Sequence, residues 1–323
     1  MRTLLVVFAF VSSLSYCMNA AVVHQHSANM HKERLEDGAY SPRDRGHLSD
    51  SGEHDSDFDH EAILGSSKVA EEFEHLTKDE SIRRLRILLK NMDLNKDQNI
   101  DRRELKSWIM RSFRMLSEEE AQERMEDADE NEDGKVTWKE YISDAFGSDE
   151  TGENLDNAHL MESDRIMWMA ADANMDNILE GDEWIAFSHP EEHPAMLPVI
   201  LNQTLKEKDT DRDGSISFQE FIGDRGVHRD TDWLLVEKQK FDHDFDKDKD
   251  GKLDGSEILS WVVPSNEEIA QEEVDHLFAS SDDDHDDLLS FDEVIEHHDI
   301  FVGSEATDYG EHIHNIHQFQ DEL

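Results

Sequence analysis

Asp246–Glu257 reads DKDKDGKLDGSE. With Asp246 as position 1, oxygen-bearing side chains fall at 1 (Asp246), 3 (Asp248), 5 (Asp250), 9 (Asp254) and 12 (Glu257). Gly251 takes position 6 and Leu253 position 8. A hard divalent cation collects about six to eight oxygens at roughly 2.3–2.6 Å. One short loop can supply them by alternating ligands with outward residues, turning sharply at position 6 and closing with a bidentate Glu. Position 7 adds a backbone carbonyl, here from Lys252.

The pattern recurs five times, which separates it from a chance run of acids. The first loop offers Asp93, Asn95, Asp97, the Asn99 carbonyl, Asp101 and Glu104. The second offers Asp129, Asn131, Asp133, the Lys135 carbonyl, Thr137 and Glu140. The third offers Asp172, Asn174, Asp176, the Ile178 carbonyl, Glu180 and Glu183. The fourth offers Asp209, Asp211, Asp213, the Ser215 carbonyl, Ser217 and Glu220. The loop at Asp246 is the fifth, and the sixth offers Asp282, Asp284, Asp286, the Leu288 carbonyl, Ser290 and Glu293. These are EF-hand calcium loops, and the array predicts up to six Ca²⁺.

Position 8 is aliphatic in all six: Ile100, Val136, Leu179, Ile216, Leu253 and Leu289. It is not a ligand, so its constancy predicts a buried side chain on a short bridge between paired loops. Position 6 asks for a positive φ, which Gly adopts freely. Gly134, Gly214 and Gly251 meet that demand, Asn177 and Asp287 tolerate it, and Gln98 fits it worst. The first site is therefore expected to be the weakest or most distorted. The fifth, with five carboxylates and Gly251, is expected to be the strongest.

Start-to-start steps of 36, 43, 37, 37 and 36 residues leave room for two short helices and a linker each. Leu85, Leu88, Leu89 and Met92 form one helical face running into the first loop, and Leu105, Trp108 and Ile109 resume a face after it. The predicted fold is all-α: six helix-loop-helix units in three pairs, with two-residue β bridges between paired loops. Consecutive pairing predicts units at 62–147, 160–223 and 233–302, after a signal peptide at 1–20 and a flexible acidic leader at 21–61. A tail at 303–323 follows. The polar stretch Gly147–His159 and the segment Gly223–Asp232 are the expected boundaries. Pro190, Pro194 and Pro198 mark the join inside the middle pair.

Asp and Glu number 79 against 31 Lys and Arg, a formal charge of −48 that excludes nucleic-acid binding through a basic surface. Such charge repels itself unless cations are bound. Arg2 and the apolar run Leu4–Val11 read as a secretory signal, with cleavage after Cys17, Ala20 or Ala21 left open. No later apolar run reaches transmembrane length. Cys17 is the single cysteine, so a mature chain would have no internal disulfide. The leader histidines (His24, His26, His31, His47, His54, His60) and the tail histidines (His312, His314, His317) lack metal-site spacing and read as solvated residues. His189 and His193 lack the HExxH pattern of a zinc helix. Asn202-Gln203-Thr204 is a candidate glycosylation sequon, although it sits in the helix entering the fourth loop. Gln320-Asp321-Glu322-Leu323 is similar to the KDEL-type retention address read by a receptor, with Gln in place of the basic residue. With no Gly-rich phosphate loop or nucleophile elbow, and its acids taken up as loop ligands, the chain is not expected to be an enzyme.

Signal, acidic leader, six EF-hands and KDEL-like end together resemble the calumenin–reticulocalbin (CREC) family. The segments HEAILG (His60–Gly65), HPEE (His189–Glu192), EFIGD (Glu220–Asp224) and FVGSEATDYG (Phe301–Gly310) carry the resemblance beyond the loops. It implies a low-affinity calcium binder of the endoplasmic reticulum lumen that folds on binding. Client proteins, channels or calcium pumps are the partners it implies. The Gln320 departure leaves open leakage to the Golgi or a secreted extracellular component.

Overall fold

The structure is a computed structural model describing residues 34–35, 37–45, 47, 56–147 and 155–303. The expected signal, most of the leader, the QDEL end and the centre of the Gly147–His159 stretch lie outside the described residues.

The first hand is entered by α1 (Ser56–Leu64), α2 (Ser67–Glu74) and α3 (Lys78–Met92) and left by α4 (Arg102–Ala128). Leu85, Leu89 and Met92 bury the face their spacing predicts. The second and third hands use α5 (Trp138–Phe146), α6 (Leu155–Ala171) and α7 (Asp182–Ser188). After a 3-10 turn at Pro190–Glu192 come α8 (Leu197–Lys208), α9 (Phe218–Ile222) and α10 (Thr231–Lys240), the last ending in a π turn at Phe241–Phe245. The fifth and sixth hands close with α11 (Gly255–Val262), α12 (Asn266–Ser281), α13 (Phe291–Glu296) and α14 (His298–Phe301). Five exit helices start on a capping box formed by loop positions 9 and 12: Asp101/Glu104, Thr137/Glu140, Ser217/Glu220, Asp254/Glu257 and Ser290/Glu293. The spacing that gathers cation ligands is also the spacing that starts a helix.

Each loop contributes one two-residue strand: β1 (Asn99–Ile100), β2 (Val136–Thr137), β3 (Ile178–Leu179), β4 (Ile216–Ser217), β5 (Lys252–Leu253) and β6 (Leu289–Ser290). They pair antiparallel as β1 with β6, β2 with β3 and β4 with β5. In every pair the two position-8 residues face each other: Ile100 with Leu289, Val136 with Leu179, Ile216 with Leu253. All six are buried, at 1% exposure or less. The three pairs and their bridges are as predicted, but the partners are shifted by one hand from the consecutive pairing expected. The reason is α4. It runs 27 residues unbroken from loop one to loop two, about 40 Å at the helical rise, and so holds those loops apart. The linker at 147–159 and the segment at 223–232 thus lie inside pairs, and the proline join lies between two pairs.

Two cores result. Ile63, Leu89, Ile109 and Phe113 pack with Val274, Phe278, Val294 and Phe301, joining hand one to hand six. Trp168, Phe187, Phe221, Phe241 and Trp261 anchor the core of hands two to five. The spine α4 serves both, with Leu105–Leu116 in the first and Ala121–Ala128 in the second. Part of the leader is not free, contrary to expectation. Tyr40 is buried and its N–H donates to the Val262 carbonyl at 2.9 Å, while Trp261 Nε1 donates to Asp37 at 3.1 Å. Arg43 donates to Glu192 (3.0 Å), which also accepts from Ser117 on α4 and Asn266 on α12 (2.8 Å each). Helix begins at Ser56, inside the expected leader. The segments that carry the family resemblance supply such joints. Gly65, at φ +68°, lets its backbone approach Ser112 so closely that a Cβ would lie 3.2 Å from the Ser112 Cα.

Candidate metal centres

Each loop is built around its position-1 Asp. One oxygen accepts the position-6 N–H in all six, at 3.0 Å (Gln98 to Asp93), 2.7 Å (Gly134 to Asp129), 2.8 Å (Asn177 to Asp172), 2.9 Å (Gly214 to Asp209), 3.0 Å (Gly251 to Asp246) and 3.1 Å (Asp287 to Asp282). The other accepts the position-5 N–H, from Asp97, Asp133, Asp176, Asp213, Asp250 and Asp286. The position-12 Glu closes the ring from the far side. Glu257, for example, accepts from Lys247 N–H at 2.7 Å and Asp254 N–H at 3.0 Å.

Position 6 has positive φ in every loop, Gln98 included at +69°, so the backbone of the first loop is turned like the others. Position 4 has positive φ too: Lys96, Glu132, Met175, Arg212, Lys249 and His285 lie between +58° and +65°. Sequence reading missed that demand, because these exposed residues share no side-chain type that signals it. The irregular loop is the third. Glu180 at position 9 cannot cap α7, which starts after Gly181 without a side-chain cap. Glu183 then keeps one buried carboxylate oxygen, Oε2, without a hydrogen-bond partner. A cation held by Asp172, Asp176 and Glu183 would satisfy that oxygen.

Carboxylates converge to within 4.8 Å of one another at Asp209/Asp211/Asp213, Asp246/Asp248/Asp250 and Asp282/Asp284/Glu293. Loops one to three carry Asn at position 3 (Asn95, Asn131, Asn174), which lowers their charge but keeps an oxygen. The donors are hard oxygens, a set suited to Ca²⁺ rather than to thiophilic or imidazole-seeking metals. The crowding shows at Asp248. The Asp250 N–H favours its ionised form, yet burial and the charges of Asp250, Glu257 and Asp246 hold its carboxyl above the ordinary range. Glu220 goes the other way: against burial, donors from Ser217 and Thr210 pull it down to about 2. Across the pairs, basic residues offset part of the charge. Lys135 meets Glu180 at 2.6 Å, Arg102 meets Asp287 at 2.6 Å, and Lys252 meets Asp213.

A family model described as an EF-hand domain pair matches residues 70–145 and 238–297, and one described as an EF hand matches 201–222. Reticulocalbin-2 of Crotalus adamanteus is 39% identical over 285 residues, covering 84% of this chain and 93% of that protein. Reticulocalbin-2 of Mus musculus is 39% identical over 287 residues, covering 84% and 89%. The chain belongs to the calumenin–reticulocalbin family. This reticulocalbin-family chain is accordingly an EF-hand calcium-binding protein. None of its helices among the described residues is long and apolar enough to cross a membrane. The sequon of this family member lies on α8, with Asn202 exposed but Thr204 buried and its hydroxyl donating to the Ile200 carbonyl at 2.9 Å. His189 is buried beside Glu120 and Glu191, and His60, contrary to the expected solvated leader histidine, is buried and bonds the Asp299 carbonyl at 3.0 Å. The tail histidines lie outside the described residues.

Proposed function

We propose that this protein is a low-affinity calcium buffer of the secretory-pathway lumen that gains its folded body on binding calcium and engages client proteins in that state. The six ligand sets in loops one to six would hold the ions, each through positions 1, 3, 5, 9 and 12 and the position-7 carbonyl. The observation that carries this reading is the repeated cradle, in which six position-1 carboxylates are held by the same two backbone N–H groups. Six divalent ions would raise the formal charge from −48 to −36, relieving repulsion where it is densest. EF-hand affinities span roughly 10⁻⁹ to 10⁻³ M, and a lumenal site that responds to calcium belongs near the weak end. The family relationship and the KDEL-like end support the endoplasmic reticulum as its place. Equilibrium calcium binding on the mature chain, with far-UV circular dichroism and hydrodynamic radius before and after chelation, tests the reading. Up to six ions and an expanded, less helical chelated state are expected. A chelated chain of unchanged helicity and radius would refute the coupling.

A secreted calcium-binding component is the second reading, favoured by Gln320 in place of a basic residue. Finding most of the native protein in the culture medium rather than in the lumen would select it.

A further inference from the structure

A polar cluster unrelated to the loops sits where the leader crosses the core of hands one and six. His47 Nε2 lies 2.8 Å from Asp59 Oδ1, and His276 Nε2 lies 3.6 Å from Asp59 Oδ2. The two imidazoles meet edge to face with ring centroids 5.8 Å apart, and His47 rests on Phe58 at 4.7 Å. One donor atom from each of His47, Asp59 and His276 falls within 4.8 Å of the other two. Glu273 stands one helical turn before His276 on α12 and against Asp59. It is 2% exposed, and its carboxyl has no hydrogen-bond partner other than the Asp59 carboxyl beside it.

That carboxylate is the telling observation. A buried acid without donors is costly, and two acids side by side in a core are costlier. One divalent cation held by Asp59 and two neutral imidazoles would offset the charge of both acids. Two nitrogens and one carboxylate within 4.8 Å of one another, with a fourth position open to water, suit a four-coordinate, borderline metal and not Ca²⁺, which prefers about six to eight oxygens. The cluster is also reachable, since the His276 side chain is 32% exposed while Asp59 is buried at 1%.

We propose that His47, Asp59 and His276, with the buried acid Glu273 beside Asp59, form a transition-metal site of the Zn²⁺ class that fastens the leader onto the core of hands one and six. It is distinct in ligands and position from the six calcium loops, so it stands whether or not the lumenal reading holds. The test uses the full mature chain in saturating Ca²⁺, with His24, His26, His31, His312, His314 and His317 changed to Gln to remove competing imidazoles. Co²⁺ is titrated and then displaced by Zn²⁺. One tetrahedral Co²⁺ per chain is expected, with intense d–d absorption removed by one equivalent of Zn²⁺. His276→Gln and Asp59→Asn should abolish the absorption and weaken Zn²⁺ binding by at least about tenfold. His47→Gln, which lies outside the packed helices, should do the same without disturbing calcium stoichiometry, and it decides the matter if either other variant misfolds. Absence of tetrahedral absorption in the reference chain, or retention of it in His47→Gln, overturns the proposal.

Discussion

Gln98 holds φ at +69° where Gly251 holds +88°, and a side chain in that left-handed region costs free energy that glycine does not. The first loop therefore forms the same turn as the fifth at a greater cost, an energetic weakness with no visible distortion. Gln98→Gly should favour the folded loop by about 1 kcal/mol, the relief of left-handed strain less the entropy glycine adds to the unfolded chain, read as tighter binding at site one in per-site NMR calcium titration. Gly251→Ala should shift site five the opposite way by a similar amount. A second residue-scale prediction concerns Asp164, half-buried and accepting from the Tyr141 hydroxyl at 2.9 Å. Burial raises its carboxyl from 3.8 to about 6. A raised carboxyl is more easily protonated in the folded state, so its contribution is fully present below about pH 4 and is lost as pH climbs through about 6. Asp164→Asn should consequently gain stability over the wild type as pH rises from 4 to 7, by a few degrees in Tm at neutral pH. Equal Tm differences at pH 4.5 and 7.5 would show that the carboxyl is not the cause.

Pairing belongs to the elements, and here the reach of sequence reading has a clear limit. The loop boundaries and the buried position 8 are local patterns, so they were legible from residue types alone, whereas the capping role of positions 9 and 12 went unread behind their role as ligands. Partner choice depends on what lies between loops. Arg102–Ala128 contains neither Gly nor Pro and stays one helix. The step from loop two to loop three is broken at Gly147, where φ is +56°, and the step from four to five at Gly223, where φ is +44°. Those breaks let the chain double back, so loops two and three meet, as do four and five. The signal was present as a missing breaker, which loop spacing alone does not register. The third loop's orphaned Glu183 oxygen was not legible, because Glu180 satisfies the ligand pattern while failing as a cap. The pairing has a direct test: Glu104→Gln should weaken calcium binding at site six, across the β1–β6 bridge, more than at site two. Equal effects at both sites, or a larger one at site two, would contradict the register seen here.

At the scale of the whole molecule, the first and last hands share one core, and the array closes on itself. A chain ending at Pro264 would remove α12 and hand six, stripping partners from Ile100, Ile109 and Phe113. Such a chain should lose site one along with site six and keep calcium binding at the other four, as counted by equilibrium binding. Loss of site six alone would mean that hand one folds without its partner. The spine α4 makes the two cores neighbours, and the leader contacts at Tyr40 and Arg43 tie them further. The same closure sets a timetable for synthesis. Loop six begins 189 residues after loop one, so at about 5–20 residues per second hand one waits roughly 10–40 s for its partner. Hands two with three, and four with five, can each finish as soon as they emerge. During that interval the apolar face of hand one is bare in a crowded compartment, and the nascent protein is itself a client for any holdase that reads exposed aliphatic side chains.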